Sequence, residues 1–444
     1  MTSLVCAGQG ATNSADTNSE LLQRLAALEK RVAELERAGT CNAVTPADSP
    51  TVLNTAASAG ANSSPHPGRN VDPQQKTTAA TVANADQEFG PALKLRGFAD
   101  LNFGASNLPQ TRSGFLFGEF VLHFSSKLSS KISAFAELSV EAQPEGWAID
   151  LERAQIRYDV NDAFKVSFGR YHTPINYWNT AYHHGTWLQT TVSRPRMVDF
   201  DGPYLPAHFV GLQVEGSLPS GGLGLGYNLG LGNGRGPNVN DPGQAGDVDN
   251  NRAWVVNFYS RPTRVNGLQI GASVYHDRVF PASPTGLALE PFGLGIPHNL
   301  PDAEPAPVPS GASFNELIAS AHAVWIRNGP ELMAEFANVR HSVPGGEFNS
   351  PAFYLQAAYR LPWAQKHLKP YYRYEYLRSP LGDPVLERVS RAVNLRLHTL
   401  GLRYDIAEFA AFKLEYRHEF DPQNINGIGP RRFDGAFAQT AFTF

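Results

Sequence analysis

The chain has 444 residues, of which 18% are charged and 11% aromatic, with 40 Gly, 33 Pro and a formal net charge of −4. That balance argues against a general nucleic-acid binder, and few charges with many glycines and aromatics fit short strands joined by turns better than a helical protein. Mean hydropathy is below zero and no apolar run is long enough for a membrane helix. A barrel is not excluded, because its lumen-facing polar residues average out its lipid-facing apolar ones.

Residues 1–18 form an N-terminal stub with neither a basic n-region nor a useful apolar h-region. They match the remnant of a signal peptide ending near Ala11, or less well a lipoprotein start at Cys6. Residues 19–39 read as a short coiled-coil helix. Leu21, Leu28 and Leu35 are seven apart, with Leu25 and Val32 between them and charge on the flanks. Ser19 caps its start and Gly39 ends it. A helix this short is marginal alone. It either packs on its own chain or associates with copies of itself, and the segment after it offers nothing to pack on. Residues 40–89 are Ala, Asn, Ser, Thr, Pro and Gly with almost no aromatics, a composition that reads as a disordered linker. Cys6 and Cys41 are the only cysteines, too few for a disulfide scaffold. Cys41 is either an unpaired thiol or an interchain partner.

From residue 90 to 444 the period becomes two. Ile132, Ala134, Ala136, Leu138 and Val140 alternate with Lys131, Ser133, Glu137, Ser139 and Glu141. Leu225, Tyr227, Leu229 and Leu231 alternate with glycines and Asn228, and Phe412, Leu414 and Tyr416 with Lys413, Glu415 and Arg417. Each run is about ten residues, enough for a tilted strand to cross a bilayer. The spacing predicts about sixteen strands, starting near 93, 114, 131, 149, 163, 208, 222, 251, 267, 313, 330, 351, 367, 391, 408 and 434. The expected fold is all-β and transmembrane: an antiparallel outer-membrane β-barrel wide enough for an aqueous lumen. A large sandwich or propeller would share the alternation, but no blade repeat is visible. Tyr371-Tyr-Arg-Tyr-Glu-Tyr376 alternates aromatic with charge and suits a strand crossing an interfacial girdle.

Between the fifth and sixth strands, residues 168–203 lose the alternation. This segment holds Arg170, His172, His183, His184, Arg194, Arg196 and Asp199 among many aromatics and amides. Long irregular loops inside compact domains are usually functional or disordered, and aromatic richness favours a folded one. His183 and His184 are adjacent and point apart, and no Cys, Glu or third His is suitably spaced in sequence, so no metal site is expected. No Gly-x-Ser-x-Gly elbow, His-Glu-x-x-His or P-loop is present, so no catalytic residue and no cofactor are expected. Residues 230–251 and 280–309 read as extracellular loops. Asp241, Asp247 and Asp249 in the first either bind Ca²⁺ or stay solvated.

Ile149-Asp-Leu-Glu-Arg-Ala-Gln-Ile-Arg-Tyr158 followed by Phe164-Lys-Val-Ser-Phe-Gly-Arg-Tyr-His-Thr-Pro-Ile175 resembles the phosphate-selective porin O and P family, and DcaP-like porins are similar in also carrying an N-terminal coiled coil. The closing run Asp434-Gly-Ala-Phe-Ala-Gln-Thr-Ala-Phe-Thr-Phe444 resembles the C-terminal signal of bacterial outer-membrane barrels. The resemblance implies a homotrimeric porin in the outer membrane of a Gram-negative-type bacterium, lipid around it and the N-terminal helix in the periplasm. Small hydrophilic solutes or ions would diffuse past a constriction formed by the third loop and lined by Arg170, His172, His183, His184, Arg194, Arg196 and Asp199. An alternative for Arg194, Arg196 and Asp199 is an ion-pair network bracing the loop on the wall. Phosphate selectivity is not implied, because residues 90–444 carry 31 Lys and Arg against 32 Asp and Glu. The rival readings are a barrel sheathing a partner such as an electron-conduit cytochrome, and an outer-membrane enzyme or adhesin.

Overall fold

The computed structural model describes residues 92–108, 113–143, 146–182, 184–199, 204–236, 251–280, 313–386, 394–422 and 431–444. The expected coiled coil, the linker and most of the two long loops, with Asp241, Asp247 and Asp249, lie outside those residues.

Sixteen strands follow in chain order. They are β1 (Ala92–Ser106), β2 (Gly114–Lys127), β3 (Ile132–Gln143), β4 (Gly146–Asn161), β5 (Phe164–His172), β6 (His208–Ser217), β7 (Leu225–Asn233) and β8 (Ala253–Ser260). Then come β9 (Leu268–Val279), β10 (Phe314–Ile326), β11 (Pro330–Val343), β12 (Gly346–Tyr359), β13 (Leu368–Arg378), β14 (Asn394–Ala407), β15 (Ala410–Asp421) and β16 (Arg431–Thr443). Each pairs antiparallel with its sequence neighbours, and β1 pairs with β16, so the sheet closes on itself. The sixteen starts fall within about five residues of those read from the alternation, as the period-two signal of a barrel wall leads one to expect. Many strands run past ten residues, β4 to sixteen, and β7 extends through Asn233 into the stretch read as loop.

The wall inverts the polarity of a water-soluble protein. Leu400 is 59% exposed on the outer face of β14 while Arg403 on its inner face is 1% exposed. Phe168, Leu231, Phe258, Leu355 and Leu414 also face outward, whereas Glu331, Arg373, Glu375, Lys413 and Glu415 are buried. Apolar-out, polar-in alternation around a closed barrel is the arrangement that lets a sheet span lipid with no open edge. No helix among the described residues is long and apolar enough to cross a membrane. In the tyrosine-rich run of β13, Tyr372 is outward while Tyr371, Arg373 and Glu375 are buried inside. Only part of that run therefore serves the outer surface.

The terminal aromatic sits on the closing junction. Phe444 donates its N–H to the Gly97 carbonyl at 3.0 Å and accepts from the Gly97 N–H at 2.8 Å. Its ring stacks on Phe120 at 5.7 Å. A Cβ on residue 97 would stand 2.2 Å from the Phe444 ring, so glycine is what lets the last residue lie over β1.

Candidate functional site: the segment between β5 and β6

Gly169 opens the departure from regular strand. It adopts φ 142°, and a Cβ there would meet the Ala154 carbonyl at 2.0 Å. After it, Arg170, Tyr171 and His172 are all buried, so the alternation that keeps one face toward lipid ends here. The chain then makes a one-turn helix, Trp178–Ala181, and a 3₁₀ turn, Arg196–Val198, before re-entering the wall at β6.

The first part of this segment is held by apolar packing. Ile175, Trp178, Ala181 and Tyr182 are buried with Met197, Val198, Tyr204 and Leu205 in one cluster that includes Tyr354 and Met333 from the wall. The Trp178 ring meets Tyr182 at 4.9 Å and Tyr354 edge-on at 5.9 Å. Its backbone N–H donates to Glu335 on β11 at 2.7 Å.

The later part is held by charged wall residues that take up its backbone groups. Glu415 on β15 accepts from the Val192 N–H at 2.8 Å and from the Ser193 hydroxyl at 2.6 Å. Arg373 on β13 donates to the Ser193 and Arg194 carbonyls at 3.0 and 2.9 Å. Arg403 on β14 donates to the Trp187 and Gln189 carbonyls, both at 2.8 Å, and Lys413 on β15 to the Thr191 carbonyl at 3.0 Å. Irregular backbone removed from water needs such partners, and charge-assisted bonds are the stronger kind. In the closed order of sixteen strands β13 stands eight places from β5. These bonds therefore tie the segment to the wall opposite its own origin.

The seven residues singled out from sequence separate into two groups. Arg194, Arg196 and Asp199 lie at the β13–β15 side. Arg196 pairs with Asp199 at 3.1 Å, the Arg196 N–H donates to Glu375 at 2.6 Å, and Arg194 Nε donates to the Val198 carbonyl at 3.0 Å. Those contacts run within the segment and to β13. Arg170, His172 and His184 meet near β2–β4, and His183 lies outside the described residues. His184 Nδ1 is 3.1 Å from Glu119 and its Nε2 is 3.0 Å from Glu152. Burial alone would lower the pKa of that ring, but the carboxylates of Glu152 and Glu119 outweigh it and hold the pKa well above the ordinary histidine value. His208 Nε2 is 2.6 Å from Glu152, and Arg170 reaches the His208 ring at 3.1 Å. His172 stands 3.5 Å from Glu137, which also pairs with His123 at 2.9 Å.

Sequence spacing alone did not reveal this second cluster. Its members Glu119, His123, Glu137, Glu141, Glu152 and His208 come from β2, β3, β4 and β6. The available signal was phase: Glu137 and Glu141 occupy the polar phase of β3, which the closed sheet turns toward the lumen.

No family model matches the chain, and no curated protein matches it. Its fold is similar to that of several solved outer-membrane proteins. OmpT of Vibrio cholerae, expressed in the outer membrane, shares 11% identity at a TM-score of 0.51, over 81% of this chain and 99% of that one. OmpF of Salmonella typhi, solved in complex with daunomycin, shares 12% identity at 0.50, over 79% and 97%. The outer membrane channel DcaP of Acinetobacter baumannii shares 11% at 0.49, over 81% and 99%. The protein is thus a sixteen-strand barrel of the outer-membrane type, and at these identities the likeness is one of fold.

Proposed function

We propose that the chain is an outer-membrane porin through which small hydrophilic solutes or ions diffuse passively. The observation that carries this reading is the pairing of a lipid-compatible closed wall with a polar interior partly occupied by the chain's own β5–β6 segment, bonded to the far wall by Glu415, Arg373, Arg403 and Lys413. In this reading the segment sets the narrowest cross-section. Arg170, His172, His183, His184, Arg194, Arg196 and Asp199 then contribute to its charge, and pore width and side-chain charge set selectivity. Residues 19–39 would support a homotrimer from the periplasmic side, joined to the barrel by the linker 40–89.

A sheath around a second protein would need the lumen for that partner. The bonds from residues 187–199 to β13–β15 support leaving that space to this chain, so the porin reading is preferred. Single-channel recording in a planar bilayer tests it. Discrete, ohmic conductance steps that scale with bulk electrolyte are expected. An electrically silent, correctly folded barrel would overturn the reading.

A further inference from the structure

Glu119 on β2 and Glu141 on β3 are direct partners across the antiparallel register. Like charges placed so are destabilising unless something cationic stands between them. His184 arrives from the β5–β6 segment at that place. One donor atom from each of the three residues lies within 4.8 Å of the others, His184 buried and the two carboxylates half-exposed. Two ligands on a tetrahedral zinc ion stand about 3.4 Å apart, and His184 Nδ1 is already 3.1 Å from Glu119 Oε2.

The other nitrogen of the ring lies close to a third carboxylate. His184 Nε2 is 3.0 Å from Glu152, and Glu152 is in turn 2.6 Å from His208 Nε2. Arg170 meets the Nδ1 of that histidine at 3.1 Å. A carboxylate on the far nitrogen is the usual outer partner of a metal-ligating histidine, because it fixes the tautomer that leaves the near nitrogen's lone pair free to bind. Nδ1 itself donates its proton to Glu119 Oε2 at 3.1 Å, and a bound ion would displace that proton and take the nitrogen's lone pair.

We propose that Glu119, Glu141 and His184 form a site for a borderline divalent metal ion of the Zn²⁺ class, with Glu152 orienting His184 and water completing the coordination. One imidazole and two carboxylates fit zinc chemistry, and a dication neutralises the paired glutamates. The ion takes the place of the Nδ1 proton and ties the β5–β6 segment to the β2–β3 wall. This inference rests on geometry at β2–β4 and does not require the channel reading.

Isothermal titration of the purified full-length protein with ZnCl₂, with MgCl₂ as the hard-ion comparison, tests the proposal. The expected result is one Zn²⁺ per chain and no Mg²⁺ at the same concentrations. Glu119→Gln with Glu141→Gln should weaken Zn²⁺ binding at least tenfold, as should His184→Ala. Glu152→Gln, which keeps all three donors, should weaken it about 10–100-fold. Far-UV circular dichroism and heat-modifiable gel migration confirm that each variant remains a barrel. Absence of Zn²⁺ binding by the parent protein would overturn the proposal, as would unchanged binding by the folded Glu119→Gln/Glu141→Gln variant.

Discussion

The two halves of the β5–β6 segment are fastened by different physics. Residues 173–182 are anchored by buried rings, Trp178 against Tyr182 and Tyr354, with the Glu335 carboxylate on one backbone N–H. Residues 187–199 bury Val192, Met197 and Val198, but their backbone groups go to Glu415, Arg373, Arg403 and Lys413. Apolar packing is insensitive to direction and depends on volume. Charge-assisted bonds depend on geometry, and each wall charge left without its partner is costly. On this contrast the aromatic half is expected to hold by volume and the polar half by direction.

The largest effect should come from removing the aromatic half and the turn after it. Deleting residues 176–190 takes out Trp178, Tyr182 and His184 while leaving the sixteen strands intact. Conductance in a planar bilayer should rise severalfold. Unchanged conductance with a folded barrel would place the segment outside the conducting path.

Two point variants then weigh the halves against each other. Trp178→Ala leaves a large cavity and should weaken local anchoring by about 3–5 kcal/mol. Arg373→Ala removes donors to the Ser193 and Arg194 carbonyls, which should loosen the segment by about 2–3 kcal/mol, apart from the cost to the wall of leaving Glu375 without its partner. Limited proteolysis within residues 173–199, with the barrel still resistant, reads both. Faster cleavage in Trp178→Ala is expected, and the reverse order would make the polar half the principal anchor.

These anchors also mark how far the sequence could be read. The strands were legible because a barrel wall imposes period two on every crossing, and both β4 and β14, the faintest runs, are present. The segment was legible as an interruption, and its aromatics announced a folded one. Its partners were not legible. Glu415 meets Ser193 across 222 residues and Arg403 meets Gln189 across 214. Such contacts follow from closure of the sheet, which brings β5 and β13 face to face, and from the strand phase that turns Arg373, Lys413 and Glu415 inward. The same closure brings Glu119, Glu141 and Glu152 around His184, which local spacing around His183 and His184 could not show. The family resemblance named the third loop as the element to watch but carried no information on which wall charges hold it.

A smaller change is expected from the charges at the β13–β15 side. Arg194→Ala with Arg196→Ala removes two positive charges and leaves Asp199, now 3.1 Å from an absent guanidinium. Both arginines act within a confined, partly desolvated space, where a charge weighs more than on the open surface. Reversal potentials in a salt gradient should move toward cation preference, with conductance little changed. An unmoved reversal potential would mean that the pair only braces the turn and faces no permeating ion.

The smallest effect should appear at alkaline pH and belongs to the aromatic half alone. Burial pushes the Tyr177 hydroxyl from its ordinary 10.0 up to about 12, and burial also raises Tyr182 well above its ordinary value. Both raised values mean that the folded segment keeps a proton which the released segment would lose. The stabilising contribution is therefore complete below about pH 10, declines as pH rises toward 12, and is lost beyond the folded values. Arginine guanidiniums stay charged through this range, so of the side chains that hold the second half only Lys413 can lose its charge, and the Arg373 and Arg403 bonds persist. Proteolysis within residues 173–182 should accelerate between pH 10 and 12 before cleavage within 187–199 does. Tyr177→Phe with Tyr182→Phe, which cannot ionise, should delay that acceleration. Simultaneous release of both halves in the parent and the variant would show that the segment opens as one unit, with no separate contribution from its tyrosines.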